Sequence, residues 1–114
     1  MKQVAIFESG GVAVGILKTA TSISILSEAF NLKIDSWVEP GLGPQSGFNV
    51  LLLSGFIVHA EDCLERPDLG VTFYIDGNDL KTQPIEVLAQ ECIKAFNLTD
   101  KVLWQQSINY GNGT

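Results

Sequence analysis

The chain has 114 residues, 46% of them hydrophobic and six of them Phe, which suits one packed core and excludes a disordered polypeptide. Seven Lys and Arg stand against thirteen Asp and Glu, a net charge of −6 that repels phosphate backbones and anionic lipid, so neither nucleic acid nor membrane is an expected partner. Two cysteines, Cys63 and Cys92, make no disulfide framework in a chain of this length and read as reduced, buried small hydrophobes.

Glu8 interrupts the apolar start of the chain too early for a signal peptide. The longest apolar run, residues 48–60, contains Asn49, Ser54 and His59 and falls short of the roughly 20 residues of a spanning helix. The expectation is one soluble domain over 1–114, located in the cytoplasm.

In chain order, residues 3–8 (QVAIFE) read as a strand that ends at the turn Ser9-Gly10-Gly11. Residues 12–18 read as the returning strand. The rival reading, a helix from Val12, is weakened by Gly15 and the β-branched Thr19, Thr21 and Ile23. A helix over 22–31 and a strand over 33–39 follow. The segment 39–47 (EPGLGPQSG) holds two prolines and three glycines and reads as an exposed loop. Residues 48–58 read as one buried strand with a bend at Ser54-Gly55, and 61–70 as a polar connector. A strand over 70–76 stops at Asp76-Gly77-Asn78.

The helix over 84–97 has the fullest set of signals. Ile85, Leu88, Ala89, Cys92 and Phe96 recur at three and four residues, and Lys94 sits in the last turn. Thr82 or Gln83 is the N-cap candidate, with Pro84 in the first turn and Asn97 at the left-handed position beyond the end. A strand over 101–107 precedes a mobile tail, 108–114. These elements make an α+β domain of two layers, a mixed or antiparallel β-sheet of about five to six strands with two helices on one face.

Four groups of residues invite a chemical reading. His59 with Glu61, Asp62, Cys63 and Arg66 has the types for a general base, a nucleophile and an anion contact, and His59, Glu61 and Arg66 are the candidate catalytic residues. The spacing H-A-E-D-C fits no metal set, and there is one His in the chain, so no metal and no cofactor is expected. The glycines of 41–47 fail as a dinucleotide fingerprint because Pro44 removes an amide donor and no helix follows. Asp76, Asn78 and Asp79 lack the spacing of a calcium loop and read as an Asx turn. Trp37, Trp104 and Tyr110 read as core, or as interface anchors if exposed. Pro40, Leu42, Pro44 and Phe48, with Trp37 and Tyr110, form the candidate interface, because a long loop in a compact domain is commonly a contact arm.

From Phe48 to Phe96 the order is strand, polar connector with E-R-P-D, strand LGVTFYIDG and helix PIEVLAQECIKAF. This order resembles the central part of tail-terminator or tail-completion proteins of tailed phages. The resemblance spans less than half the chain and implies a helix-packed sheet that assembles into a ring, with no catalytic residues and a place in the virion. The functional expectation is a non-enzymatic protein that works as a homo-oligomer or as a subunit of a larger complex. The alternatives are a small enzyme or small-molecule binder built on His59, Glu61 and Arg66, and an acidic inhibitor or immunity protein of a basic partner.

Overall fold

The computed structural model describes residues 1–5, 7 and 12–106. Its elements are β1 (Lys2–Val4), β2 (Ala13–Thr19), α1 (Ile23–Phe30), β3 (Asp35–Glu39), β4 (Gly43–Leu51), β5 (Ile57–Cys63), β6 (Val71–Asp76), α2 (Ile85–Ala95) and β7 (Val102–Gln105). The seven strands form one sheet in the order β1-β4-β5-β6-β2-β7, with β3 also paired to β4. Every pairing is antiparallel. β1 and β3 lie end to end along the same side of β4, joined where Gln3 and the Lys33 backbone exchange two hydrogen bonds of 2.7 and 2.9 Å. The predicted α+β class holds, with seven strands where five to six were expected.

Alternation sorts each strand's side chains. Phe48 and Val50 of β4, Val58 and Ala60 of β5, and Val71, Phe73 and Ile75 of β6 face one way and are buried. On β2 the adjacent Ile16 and Leu17 are both fully buried, because the register shifts between Gly15 and Leu17 and admits one extra residue. Over this face lie Ile23 and Leu26 of α1 and Ile85, Leu88, Ala89, Cys92 and Ile93 of α2, in one core. Phe96, just past α2, links the layers: its ring is 5.2 Å from Phe30, 5.4 Å from Phe73 and 5.8 Å from Phe48.

α1 fills the predicted span, and α2 closes at its C-terminus as its sequence predicts. Ser22 caps α1 by accepting from the Ile25 N–H at 3.1 Å, and Asn31 takes the left-handed conformation after it. Beyond α2, Asn97 is left-handed and the Leu98 N–H donates to the Ile93 carbonyl at 2.8 Å, the paired bonding that closes a helix on a hydrophobic contact. The start of α2 differs from expectation. Pro84 is the N-cap, while the amides of Thr82 and Gln83 donate to the Asp79 carbonyl and finish the 3-10 turn Gly77–Lys81. That turn begins as the Asx motif read in the sequence, with Asp76 accepting from the Asn78 N–H at 3.0 Å.

The middle of the chain corrects two expectations. Residues 39–47 are a β-hairpin with its second strand already begun, where an irregular loop was expected. Pro40 and Gly41 occupy the two central positions of the turn, the Leu42 N–H donates to the Glu39 carbonyl at 3.0 Å, and Gly41 supplies the φ of +83°. Pro44 is tolerated because it stands near the beginning of β4, just ahead of the register with β5, which opens at Gln45. Residues 48–58, expected as one strand, are the end of β4, a turn and the start of β5. The turn is closed by Gly55 N–H to the Leu52 carbonyl at 2.9 Å and by Leu52 N–H to the Phe56 carbonyl at 2.8 Å. β5 then continues to Cys63, into what was read as connector. The N-terminal strand is described only as Lys2–Val4; the turn at 9–11, Ser107 and the tail 108–114 lie outside the described residues.

Candidate functional site

The face of the sheet away from the helices collects the polar and aromatic side chains in two cross-strand rows. Asn49, His59, Tyr74 and Gly15 are successive partners across β4, β5, β6 and β2. The neighbouring row is Gly47, Glu61, Thr72 and Lys18. Trp37 enters from β3, whose partner on β4 is Gln45.

His59 is the centre of this face. Asn49 donates its amide to the Ala5 carbonyl at 3.4 Å, which turns its Oδ1 toward the ring, so His59 Nδ1 donates to that oxygen at 2.7 Å. On the other side Nε2 lies 3.0 Å from Glu61 Oε1. Rings of Trp37, Phe7 and Tyr74 surround the imidazole at 5.6, 5.7 and 6.2 Å. Burial, and then the charge of Glu61, raises the Tyr74 phenol above its ordinary range. Both nitrogens of His59 therefore face oxygen acceptors inside an aromatic collar, an arrangement that fixes the ring and leaves no lone pair aimed at a substrate.

The remaining members of the sequence-predicted catalytic group are engaged elsewhere. Arg66 makes a two-pronged contact with Asp68, at 3.0 Å from Nε and 2.9 Å from Nη2, and the bond raises the guanidinium and lowers the carboxyl from their ordinary values. Asp62 ties the sheet to α1: one oxygen accepts from the Ser46 hydroxyl at 2.6 Å and the other from the Ile23 N–H at 2.9 Å. Cys63 donates its thiol toward the Leu42 carbonyl at 3.4 Å. An open cleft of about 460 Å³ does hold Glu61 and Arg66 together with Lys18, Gln45 and Tyr74, but His59 is outside its lining.

The two thiols occupy opposite environments. Cys63 is half-buried at the end of β5, whereas Cys92 is fully buried in α2 and burial pushes its pKa up to about 12. Ellman's reagent at mildly alkaline pH is expected to titrate one thiol, Cys63, in the native protein and both after unfolding; two rapid thiols in native buffer would contradict this placement. Since Cys92 ionises from about 9 in the unfolded chain and only near 12 in the folded one, stability is expected to fall with rising pH across that window, by at most about 1.4 kcal/mol per unit.

Of the expected interface residues, Pro40 and Leu42 project from the β3–β4 turn and Pro44 lies in β4. Trp37 is half-buried over the open face. Phe48 is corrected: it is 1% exposed in the core and has no surface to offer a partner, because its position on β4 faces the helices. Tyr110 lies outside the described residues.

A surface the sequence reading passed over is the edge strand β7. Among the described residues it pairs with β2 alone and has no strand on its outer side. Val102, Leu103 and Trp104 are all exposed, Leu103 to 56% and Trp104 to 43%, so of the two readings of Trp104, core or interface anchor, the core one is overturned. Between Trp104 and the start of β2 lies an open groove of about 530 Å³ whose walls include Val12, Val14 and Gly15. The signal available in the sequence was three consecutive apolar residues, Val102-Leu103-Trp104, in the last strand: a strand with one buried face alternates, and this one does not.

Among the described residues no helix is long and apolar enough to cross a membrane. No protein-family model matches the chain, and no curated protein or solved structure matches it.

Proposed function

We propose that this chain is a non-enzymatic assembly protein that acts as a homo-oligomer, joining copies through the free edge of its sheet. The observation that carries the reading is β7, which among the described residues pairs with β2 alone and exposes Val102, Leu103 and Trp104. Open ladder groups supply backbone hydrogen bonds to an incoming strand, and the exposed Leu103 and Trp104 supply apolar contact beside them. Soluble proteins ordinarily blunt such edges with Lys or Pro; β7 has neither, although it is short and irregular where its register with β2 shifts. The resemblance of residues 48–96 to tail-completion proteins points the same way, toward a subunit of a larger structure.

The small-molecule reading has less support. Its arginine is held by Asp68, and its imidazole stands outside the cleft and is hydrogen-bonded on both sides.

Sedimentation velocity at concentrations up to about 200 µM tests the proposal, a range that detects association free energies of about −5 kcal/mol or better. The expected result is a mass that rises to a multiple of the single chain. A single-chain mass over the whole range would overturn it.

A further inference from the structure

Self-association through β7 requires a receiving surface, and the sheet's opposite edge provides one. β3 pairs only with β4 among the described residues. Its Val38 is 74% exposed, and Leu42, in the turn that follows, is exposed too. We infer that β7 of one copy adds antiparallel to β3 of the next, so that subunits join head to tail in a continuous sheet. This inference rests on the assembly reading and specifies its geometry.

Strand direction is the first argument. From β3 through β4, β5, β6 and β2 to β7 there are six strands, each antiparallel to its neighbour. With an even number, the two outermost strands run in opposite directions. A second copy in the same orientation as the first therefore presents its β3 antiparallel to the free edge of β7. The alternation continues across the junction, and the helices of both copies stay on the same side of the joined sheet.

Charge is the second argument. β3 starts with Asp35 and ends with Glu39, while Lys101 immediately precedes β7. Antiparallel pairing brings the start of β7, with Lys101 just before it, beside the end of β3, with Glu39. Pairing β3 with β3 of another copy in the same way sets Asp35 against Glu39, an unfavourable like-charge contact. Pairing β7 with β7 sets Lys101 against Gln105, gains no ion pair and leaves the β3 edge bare. The head-to-tail arrangement covers both edges of every interior copy.

Two lysine substitutions on exposed positions separate these possibilities. Val38→Lys obstructs the β3 edge and Leu103→Lys the β7 edge, and neither side chain is part of the core, so both variants are expected to melt close to wild type. Each alone is expected to weaken self-association about 100-fold and run as a single chain. Mixed in equal amounts they are expected to form a one-to-one dimer and nothing larger, because one intact β7 remains to meet one intact β3. If Val38→Lys still associates as wild type does, β7 is pairing with itself or elsewhere, and the head-to-tail inference fails while the assembly reading stands. If Leu103→Lys associates as wild type does, or wild type is itself a single chain, the assembly reading fails and takes the inference with it. Monomeric variants that do not complement each other in the mixture would also overturn the inference.

Discussion

Replacing Phe96 by alanine is expected to cost about 3–5 kcal/mol of folding stability, the largest loss for any single truncation in this core. The ring is 2% exposed and meets the rings of Phe30, Phe48 and Phe73, so it joins α1 to β4 and β6 at one point. Truncation removes its own apolar transfer and leaves a cavity walled by three rigid rings on separate elements, which are poorly placed to collapse into it. Against a total stability of roughly 5–15 kcal/mol, the loss leaves the variant near its folding threshold. Urea unfolding checks this: the midpoint should fall strongly with little change in slope, and a loss under about 1 kcal/mol would show that the cluster is not the junction described.

Gly70→Ala is expected to rank next, at about 2–5 kcal/mol, through the backbone instead of the core. Gly70 stands between the 3-10 turn Pro67–Leu69 and β6 with φ +66° and ψ −156°, a region that is essentially glycine's alone. A Cβ there would sit 2.0 Å from the Thr19 carbonyl oxygen, which belongs to β2 and cannot yield without disturbing the β2–β6 pairing. Strain and overlap therefore add. The comparison is Gly41→Ala, where φ is also positive but nothing lies within 4 Å of the new methyl. Gly41→Ala should cost the conformational strain alone, about 1–3 kcal/mol, and equal losses at the two sites would refute the steric part of the argument.

What was legible in the sequence was local. α2 declared itself because its apolar spacing, its Lys94 and its Asn97-Leu98 ending all lie within one short window, and α1 was placed because Gly15 and the β-branched Thr19 and Thr21 argue against a longer helix from Val12. The hairpin at 39–47 was misread because prolines and glycines were counted as breakers without regard to position. Pro40-Gly41 is the turn itself, and Pro44 falls near a strand's beginning, where its missing N–H disrupts no established ladder. The polar face was half legible. His59 and Glu61 share a face two residues apart on one strand, and their pairing follows once 57–63 is read as β5. Asn49, Trp37 and Tyr74 reach His59 only through the registers of β3, β4 and β6, which no local window contains. Arg66 was grouped with His59 on sequence proximity, yet β5 ends at Cys63 and the chain turns away.

The position of β2 between β6 and β7 has a consequence for how the chain is made. Its residues leave the ribosome well before the partners that flank it, Val71–Asp76 and Val102–Gln105, have been translated. Until they emerge, Ile16 and Leu17 have neither neighbouring strand, and the nascent polypeptide must carry that apolar segment uncovered while more than 50 intervening residues are added. Productive collapse of this sheet thus waits until β7 has been translated, and a ribosome stalled between β2 and β7 would hold an aggregation-prone intermediate.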